Sequence, residues 1–194
     1  MIFPHRIVGL LLAAGSGTRF GGGKLVHPLE DGVPIAAHAA RNLIAAKLDV
    51  LAIVRPGDFP LADLLEQEGC EVTVCKESAS GMGHTLAHGV AASREASGWV
   101  VALADMPRIS PATIVRVAEA IAGGSLIAAP SYRGERGHPV GFSGALRSEL
   151  LALSGDSGAR AVLQRHADAI DLIEGDDSGV VIDIDTKSDL GRVP

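Results

Sequence analysis

The chain has 194 residues, a length that fits one domain and leaves little room for two. Hydrophobic residues make up 47% and charged residues 21%, which excludes disorder, collagen-like repeats and coiled coil; a chain of this length can bury roughly 70% of its unfolded surface. A formal charge of −6 argues against a general nucleic-acid surface, so any phosphate must be held by a local cluster of donors.

In chain order, Ile7–Leu12 reads as a first buried strand. Arg6 and the apolar run Ile7–Ala14 have the outline of a short signal peptide, but a glycine-dense basic segment, Gly15–Lys24, follows at once and argues for a cytoplasmic protein. No run reaches the ~18 apolar residues of a membrane span. Pro34 opens a helix to about Lys47, with Ile35, Ala39, Leu43 and Ala46 on one face. Val50–Val54 is a second strand, Leu61–Glu68 a short helix and Glu71–Val74 a third strand. Cys70 and Cys75 flank that third strand on positions of opposite parity, so they point to opposite faces, cannot easily pair, and match no metal-binding spacing. Gly83–Ala96 has a helical pattern, and Trp99–Ala104 is a strand apolar on both faces. Ser110 caps a helix that starts at Pro111 and runs to about Ala122. Leu126–Ala129 and Val140–Phe142 are strands, Gly144–Leu153 and Gly158–His166 helices, and Val180–Ile184 a last strand. The Arg- and Gly-rich stretch Ser131–Pro139 is expected to be mobile or insertion-like. This alternation predicts one α/β domain over residues 1–194, with a mostly parallel sheet, helices on both faces, and functional loops at the carboxyl ends of the strands.

Three segments carry the chemistry. The first is Leu12-Ala13-Ala14-Gly15-Ser16-Gly17-Thr18-Arg19-Phe20-Gly21-Gly22-Gly23-Lys24, a glycine-rich turn directly after a strand. Such a turn presents backbone N–H groups to an anion. It is not a P-loop, because Leu25 follows Lys24 where Ser or Thr is required, and it is not the dinucleotide fingerprint, whose last glycine would fall on Phe20. What remains is a loop with two cations, Arg19 and Lys24, placed to flank a polyphosphate. The second is Asp105, at the carboxyl end of the doubly buried strand, where a hard oxygen ligand suits Mg²⁺. The third is Asp183-Ile184-Asp185: on a strand, residues two apart share a face, so both carboxylates could approach one cation. Two weaker patterns are the pair His84 and His88, which has zinc-like helical spacing but no third ligand in sight, and His138, either a hydrogen-bonded loop histidine or a contact to substrate.

With these residues in place, the chain resembles the nucleotidyltransferases that activate small phosphorylated molecules. The order of Gly81-Met82-Gly83-His84-Thr85-Leu86, Arg136-Gly137-His138-Pro139-Val140-Gly141-Phe142, Gly155-Asp156-Ser157-Gly158-Ala159-Arg160 and Asp183-Ile184-Asp185-Thr186 is similar to the MobA-like superfamily, in particular its molybdenum cofactor cytidylyltransferase branch. The chain departs from that pattern at Ala104-Asp105-Met106-Pro107 and at Lys187-Ser188, without losing a charge the chemistry needs.

The resemblance implies a single Rossmann-like, GT-A-type fold. It implies that Leu12, Ala13, Ala14, Gly15, Gly17, Arg19 and Lys24, with Gly81, Met82 and Gly83, hold the nucleoside triphosphate. Asp105 and Asp183 would hold Mg²⁺; Arg19, Lys24 and Asp105 would be catalytic; His138, Asp156 and Arg160 would face a molybdopterin-type acceptor. The implied reaction is transfer of CMP from CTP with release of pyrophosphate, and the implied protein partner is a recipient molybdoenzyme or its maturation factor. GTP in place of CTP, a sugar-phosphate acceptor, a non-catalytic cofactor chaperone and a reductase of a heterocyclic substrate are the competing readings.

Overall fold

The computed structural model describes residues 6–191. Eight strands form one sheet: β1 (Ile7–Leu12), β2 (Asp49–Val54), β3 (Glu71–Val74), β4 (Gly98–Leu103), β5 (Ile127–Tyr132), β6 (Glu135–Arg136), β7 (Val140–Ser143) and β8 (Ile170–Glu174). Six helices accompany them: α1 (Ile35–Ala45), α2 (Phe59–Gln67), α3 (Met82–Ala92), α4 (Pro111–Ala122), α5 (Arg147–Leu151) and α6 (Arg160–Arg165). The strand order is β3-β2-β1-β4-β7-β5-β6, with β8 pairing β5. Strands β1 to β4 are mutually parallel, β7 runs antiparallel between β4 and β5, and β8 is parallel to β5.

The central strands are apolar throughout because both faces of the sheet are covered. Ile7 and Leu11 of β1 enter one core with Leu43 of α1, Leu61 and Leu65 of α2, and Ile114 and Val117 of α4. Val8, Leu10 and Leu12 enter the other with Leu86 and Val90 of α3, Leu150 of α5 and Val162 of α6. Cys70 lies in the first core and Cys75 in the second, as the parity of their positions requires, and both are free thiols. Trp99 of β4 is fully buried; its indole N–H donates to Ser93 Oγ at 2.8 Å, and the Arg147 guanidinium lies 4.7 Å from the ring centroid. Ser110 caps α4, its hydroxyl accepting from the Ala112 N–H at 3.3 Å. Among the described residues, no helix is long and apolar enough to cross a membrane.

Two expectations fail. Val180–Ile184 is not a strand: Ser178–Val181 forms a 3₁₀ turn and the chain then runs on without ladder partners, while the last strand is Ile170–Glu174. That strand covers only an outer edge of the sheet, and its exposed Leu172 breaks the apolar pattern by which a buried strand is read. Ser131–Pro139 is not a loose insertion either. Ser131 and Tyr132 pair with Arg136 and Glu135 in a tight hairpin, with Arg133 and Gly134 taking the positive φ angles of 52° and 80° that its turn requires.

Candidate functional site

The carboxyl ends of β1, β2, β3 and β4 open into a cavity of about 800 Å³. Each strand contributes its own following residues: Ala14–Gly17, Arg19 and Lys24 after β1, Arg55 and Pro56 after β2, Lys76, Ser78 and Ala79 after β3, and Asp105 after β4. This is the crevice that a parallel α/β sheet leaves where its loops diverge. The loop after β1 doubles back on itself through bonds from the N–H groups of Phe20 and Gly22 to the Gly17 carbonyl, at 3.1 and 3.2 Å. Gly17 has φ +59°, and a Cβ there would press to 3.1 Å from that of Lys24. Phe20 is buried edge-on to His27, anchoring the turn from which Arg19 projects.

Four charged residues of the cavity wall, Arg19, Lys24, Asp105 and Asp185, form one cluster. Lys24, only 9% exposed, donates from Nζ to Asp105 Oδ2 at 2.7 Å and lies 3.6 Å from Asp185 Oδ1. Arg19 pairs with the other oxygen of Asp185. Carboxylate oxygens of Asp105, Asp183 and Asp185 lie within 4.8 Å of one another. Partial burial of its carboxyl, followed by the charges of Asp185 and Asp105, pushes the Asp183 pKa above the ordinary aspartate value. Three hard oxygen donors this crowded suit a divalent cation of the magnesium kind, and the two cationic side chains already seated among them show the sign of charge the cluster demands.

Asp183 and Asp185 reach Asp105 without belonging to a strand. The Ile184 N–H bonds the Asp105 carbonyl at 3.0 Å, tying the late segment to the end of β4. Upstream, the Asp177 carboxylate accepts from the Ser110 and Gly179 N–H groups and from the Thr113 hydroxyl. Downstream, Asp189 Oδ2 accepts from the Thr186 N–H and hydroxyl. The acidic segment is therefore clamped at both ends by side-chain acceptors. Asp177 and Asp189 were not singled out from the sequence, since nothing marks which aspartates will cap turns.

Of the residues expected at the nucleotide, Leu12, Ala14, Gly15, Gly17, Arg19, Lys24, Gly81 and Met82 line the cavity. Ala13 and Gly83 do not. Ala13 is buried, its N–H bonded to the Ile53 carbonyl at 2.9 Å, and Gly83 is packed against the backbone of Ser154. Two of the motifs form one joint. The Gly83 N–H donates to the Gly155 carbonyl at 2.8 Å, and the Gly155 N–H donates to His84 Nδ1 at 3.2 Å. Gly81, at φ +120°, leaves no room for a side chain, because a Cβ would sit 2.3 Å from the Gly155 carbonyl carbon. This joint brings Asp156 into the cavity wall. His84 and His88 part company, His88 bonding Thr73 Oγ1 at 2.9 Å, so the two histidines do not make a metal pair.

Arg160 and His138 lie outside the cavity wall. Burial pushes the His138 pKa below the ordinary histidine value, opposed by the nearby Asp105 charge, and its Nδ1 is buried without a hydrogen-bond partner. Sequence reasoning missed Arg55 and Lys76. Both directly follow or closely follow strand ends, the same signal that marked Asp105, but neither sits in a glycine-rich motif. Arg55 also braces the first loop, bonding Asp58 at 2.8 Å and reaching the Ser16 carbonyl at 3.5 Å.

The MobA-like NTP transferase domain matches residues 9–170 of the chain. The chain belongs to that family. As a member it is a nucleotidyltransferase, with a nucleoside triphosphate as its substrate class. It is 30% identical over 198 residues to the purine catabolism protein PucB of Bacillus subtilis, covering 96% of this chain and 95% of that one. It is 29% identical over 196 residues to the nicotine blue oxidoreductase of Paenarthrobacter nicotinovorans, covering 96% of both. The crystal structure of Rv0371c from Mycobacterium tuberculosis superimposes with a TM-score of 0.85 at 25% identity and covers 98% of both chains. A second structure of that protein, in complex with manganese, superimposes with a TM-score of 0.80 at 25% identity, covering 96% of this chain and 97% of the other.

Proposed function

We propose that this MobA-like protein transfers CMP from CTP to a phosphorylated, molybdopterin-type acceptor, releasing pyrophosphate, with Mg²⁺ as its metal. The observation that carries the reading is the meeting of Lys24 and Arg19 with Asp105, Asp183 and Asp185 at the end of a cavity lined by the glycine loop. In the reaction an acceptor phosphate oxygen attacks the α-phosphorus and the bond to the pyrophosphate oxygen breaks. The attacking oxygen is already ionised, so no protein nucleophile or base is needed and catalysis is positioning plus charge neutralisation. The glycine loop binds the triphosphate, while Lys24 and Arg19 turn from their carboxylates toward the phosphates and stabilise the charge developing on pyrophosphate. Asp105 and Asp183 would hold a magnesium ion, which would supply Lewis-acid neutralisation of the phosphates when bound. Asp156, in the cavity wall, would face the acceptor, and His138, with its unpartnered Nδ1, and Arg160 would meet it beyond that wall. The motif order along the chain supports CTP over GTP, and the manganese bound by Rv0371c supports a divalent metal in the fold. The cytoplasm is the compartment this chemistry fits.

The relative named for nicotine blue favours a second reading, reduction of a heterocycle by the same fold. Phe20, where the dinucleotide fingerprint needs glycine, weighs against it. Calorimetric titration with CTP and GTP, each with and without Mg²⁺, tests the first reading. Selective, Mg²⁺-strengthened CTP binding is the expected result. A GTP preference would move the assignment to guanylyl transfer, and binding of neither nucleotide, with NADH or NADPH bound instead, would favour the reductase.

A further inference from the structure

The segment that follows β3, whose Lys76 and Ser78 line the cavity, takes part in a second group of metal-ligating side chains. Thr73 and Cys75 alternate onto the face of the sheet that packs against α3, opposite Cys70. The Cys75 N–H continues the ladder to the Val54 carbonyl at 2.9 Å, which holds the cysteine backbone in strand register although the strand has ended. The chain then turns, bringing Glu77 back, and α3 supplies His88. Ligand atoms of Cys75, Glu77 and His88 all lie within 4.8 Å of one another. We propose that these three residues bind one zinc ion, at a site distinct from the carboxylate cluster of the cavity.

The donor set selects the metal. One thiolate, one imidazole and one carboxylate match the borderline-soft ligands of zinc, whereas magnesium and calcium take oxygens alone. The charges also balance: with Cys75 deprotonated and His88 neutral, two negative ligands offset the two positive charges of the ion, which a half-buried position requires. Burial graded from Cys75, fully buried, through His88 to exposed Glu77 gives an ion anchored inside with its fourth position open to water. Thr73 Oγ1, 2.9 Å from His88 Nε2, steadies the imidazole from its own strand. The sequence hid this site because Cys75, Glu77 and His88 fit no local spacing motif; a strand end, a turn and a helix face bring them together. Since Lys76, Ser78 and Gly81 line the nucleotide cavity, zinc would also stiffen one wall of it, yet the site stands on its own geometry and not on the choice of nucleotide.

Cobalt(II) is the test probe, because only a thiolate ligand gives it a charge-transfer band in the near ultraviolet, and the all-oxygen cluster of Asp105, Asp183 and Asp185 cannot. Chelator-treated full-length protein should develop that band with one equivalent of Co²⁺ and lose it on adding Zn²⁺. Cys70→Ser should keep the band, and Cys75→Ser should abolish it. His88→Ala and Glu77→Gln should each weaken binding by at least about tenfold, since losing even a group that only orients a metal ligand costs that much. Circular dichroism melts of each variant verify folding. Absence of the band in the unmodified protein, its persistence in Cys75→Ser, or unaltered affinity in His88→Ala would each overturn the site.

Discussion

Replacing Lys24 by Met separates two roles carried by one ammonium group. Lys24 Nζ sits 2.7 Å from Asp105 Oδ2, and the two side chains are 10% and 24% exposed. The pair falls between exposed ion pairs, worth up to ~1 kcal/mol, and buried ones, whose breakage costs ~3–5 kcal/mol. About 2 kcal/mol is therefore a fair value for the contact. A divalent cation settling among Asp105, Asp183 and Asp185 must displace the ammonium, and in Lys24→Met that displacement is no longer needed. Magnesium affinity without nucleotide should rise roughly 30-fold, the equivalent of ~2 kcal/mol. On turnover the sign reverses. In the proposed transfer the phosphates would lose a preorganised cation, and the rate should fall by about 10²–10³. Methionine keeps most of the aliphatic stem, so the fold survives the change. Calorimetric titration of Mg²⁺ with and without CTP, paired with pyrophosphate release, reads both effects. Unchanged magnesium affinity would refute the displacement argument, and near-full turnover would remove Lys24 from the phosphates.

Three other outcomes follow from the same structure. Asp183 has a raised pKa in the fold, so protonation favours the native state: its contribution is fully present below the unfolded value and is lost as pH rises through the folded one. Asp183→Asn should therefore melt higher than the unmodified protein at neutral pH, and it should lose most of the Mg²⁺-induced rise in Tm, which thermal scans at acid and neutral pH would show. Gly81→Ala puts a Cβ 2.3 Å from the Gly155 carbonyl carbon at a φ of +120°, so it should open the joint under Asp156 and weaken CTP binding more than it lowers Tm; intact binding would mean the joint does not shape the cavity. Trp99→Ala should destabilise the protein by roughly 3–5 kcal/mol in urea unfolding, since a fully buried indole and its bond to Ser93 are lost at once.

How much of this could be read without coordinates varies by element. The strands β1 and β4 announce themselves because a strand buried on both faces is apolar at every position, and the glycine loop does so because a turn that doubles back beside Lys24 tolerates little else. Local chemistry also placed the cap at Ser110 and the opposite facing of Cys70 and Cys75, both consequences of backbone geometry within a few residues. The final acidic segment shows the limit. Two residues apart, Asp183 and Asp185 read as neighbours on a strand, yet they reach Asp105 through an irregular run pinned by Asp177, Asp189 and the carbonyl of Asp105 itself. Those partners lie on elements far apart in the chain, and no periodicity encodes them. The same holds for Arg55 and Lys76 in the cavity and for Cys75, Glu77 and His88 beside it. Periodicity and turn chemistry are short-range, so they made most of the elements, their order and the glycine loop after β1 legible in the chain alone. Which charges meet depends on how distant strand ends converge, and that is fixed only when the chain folds.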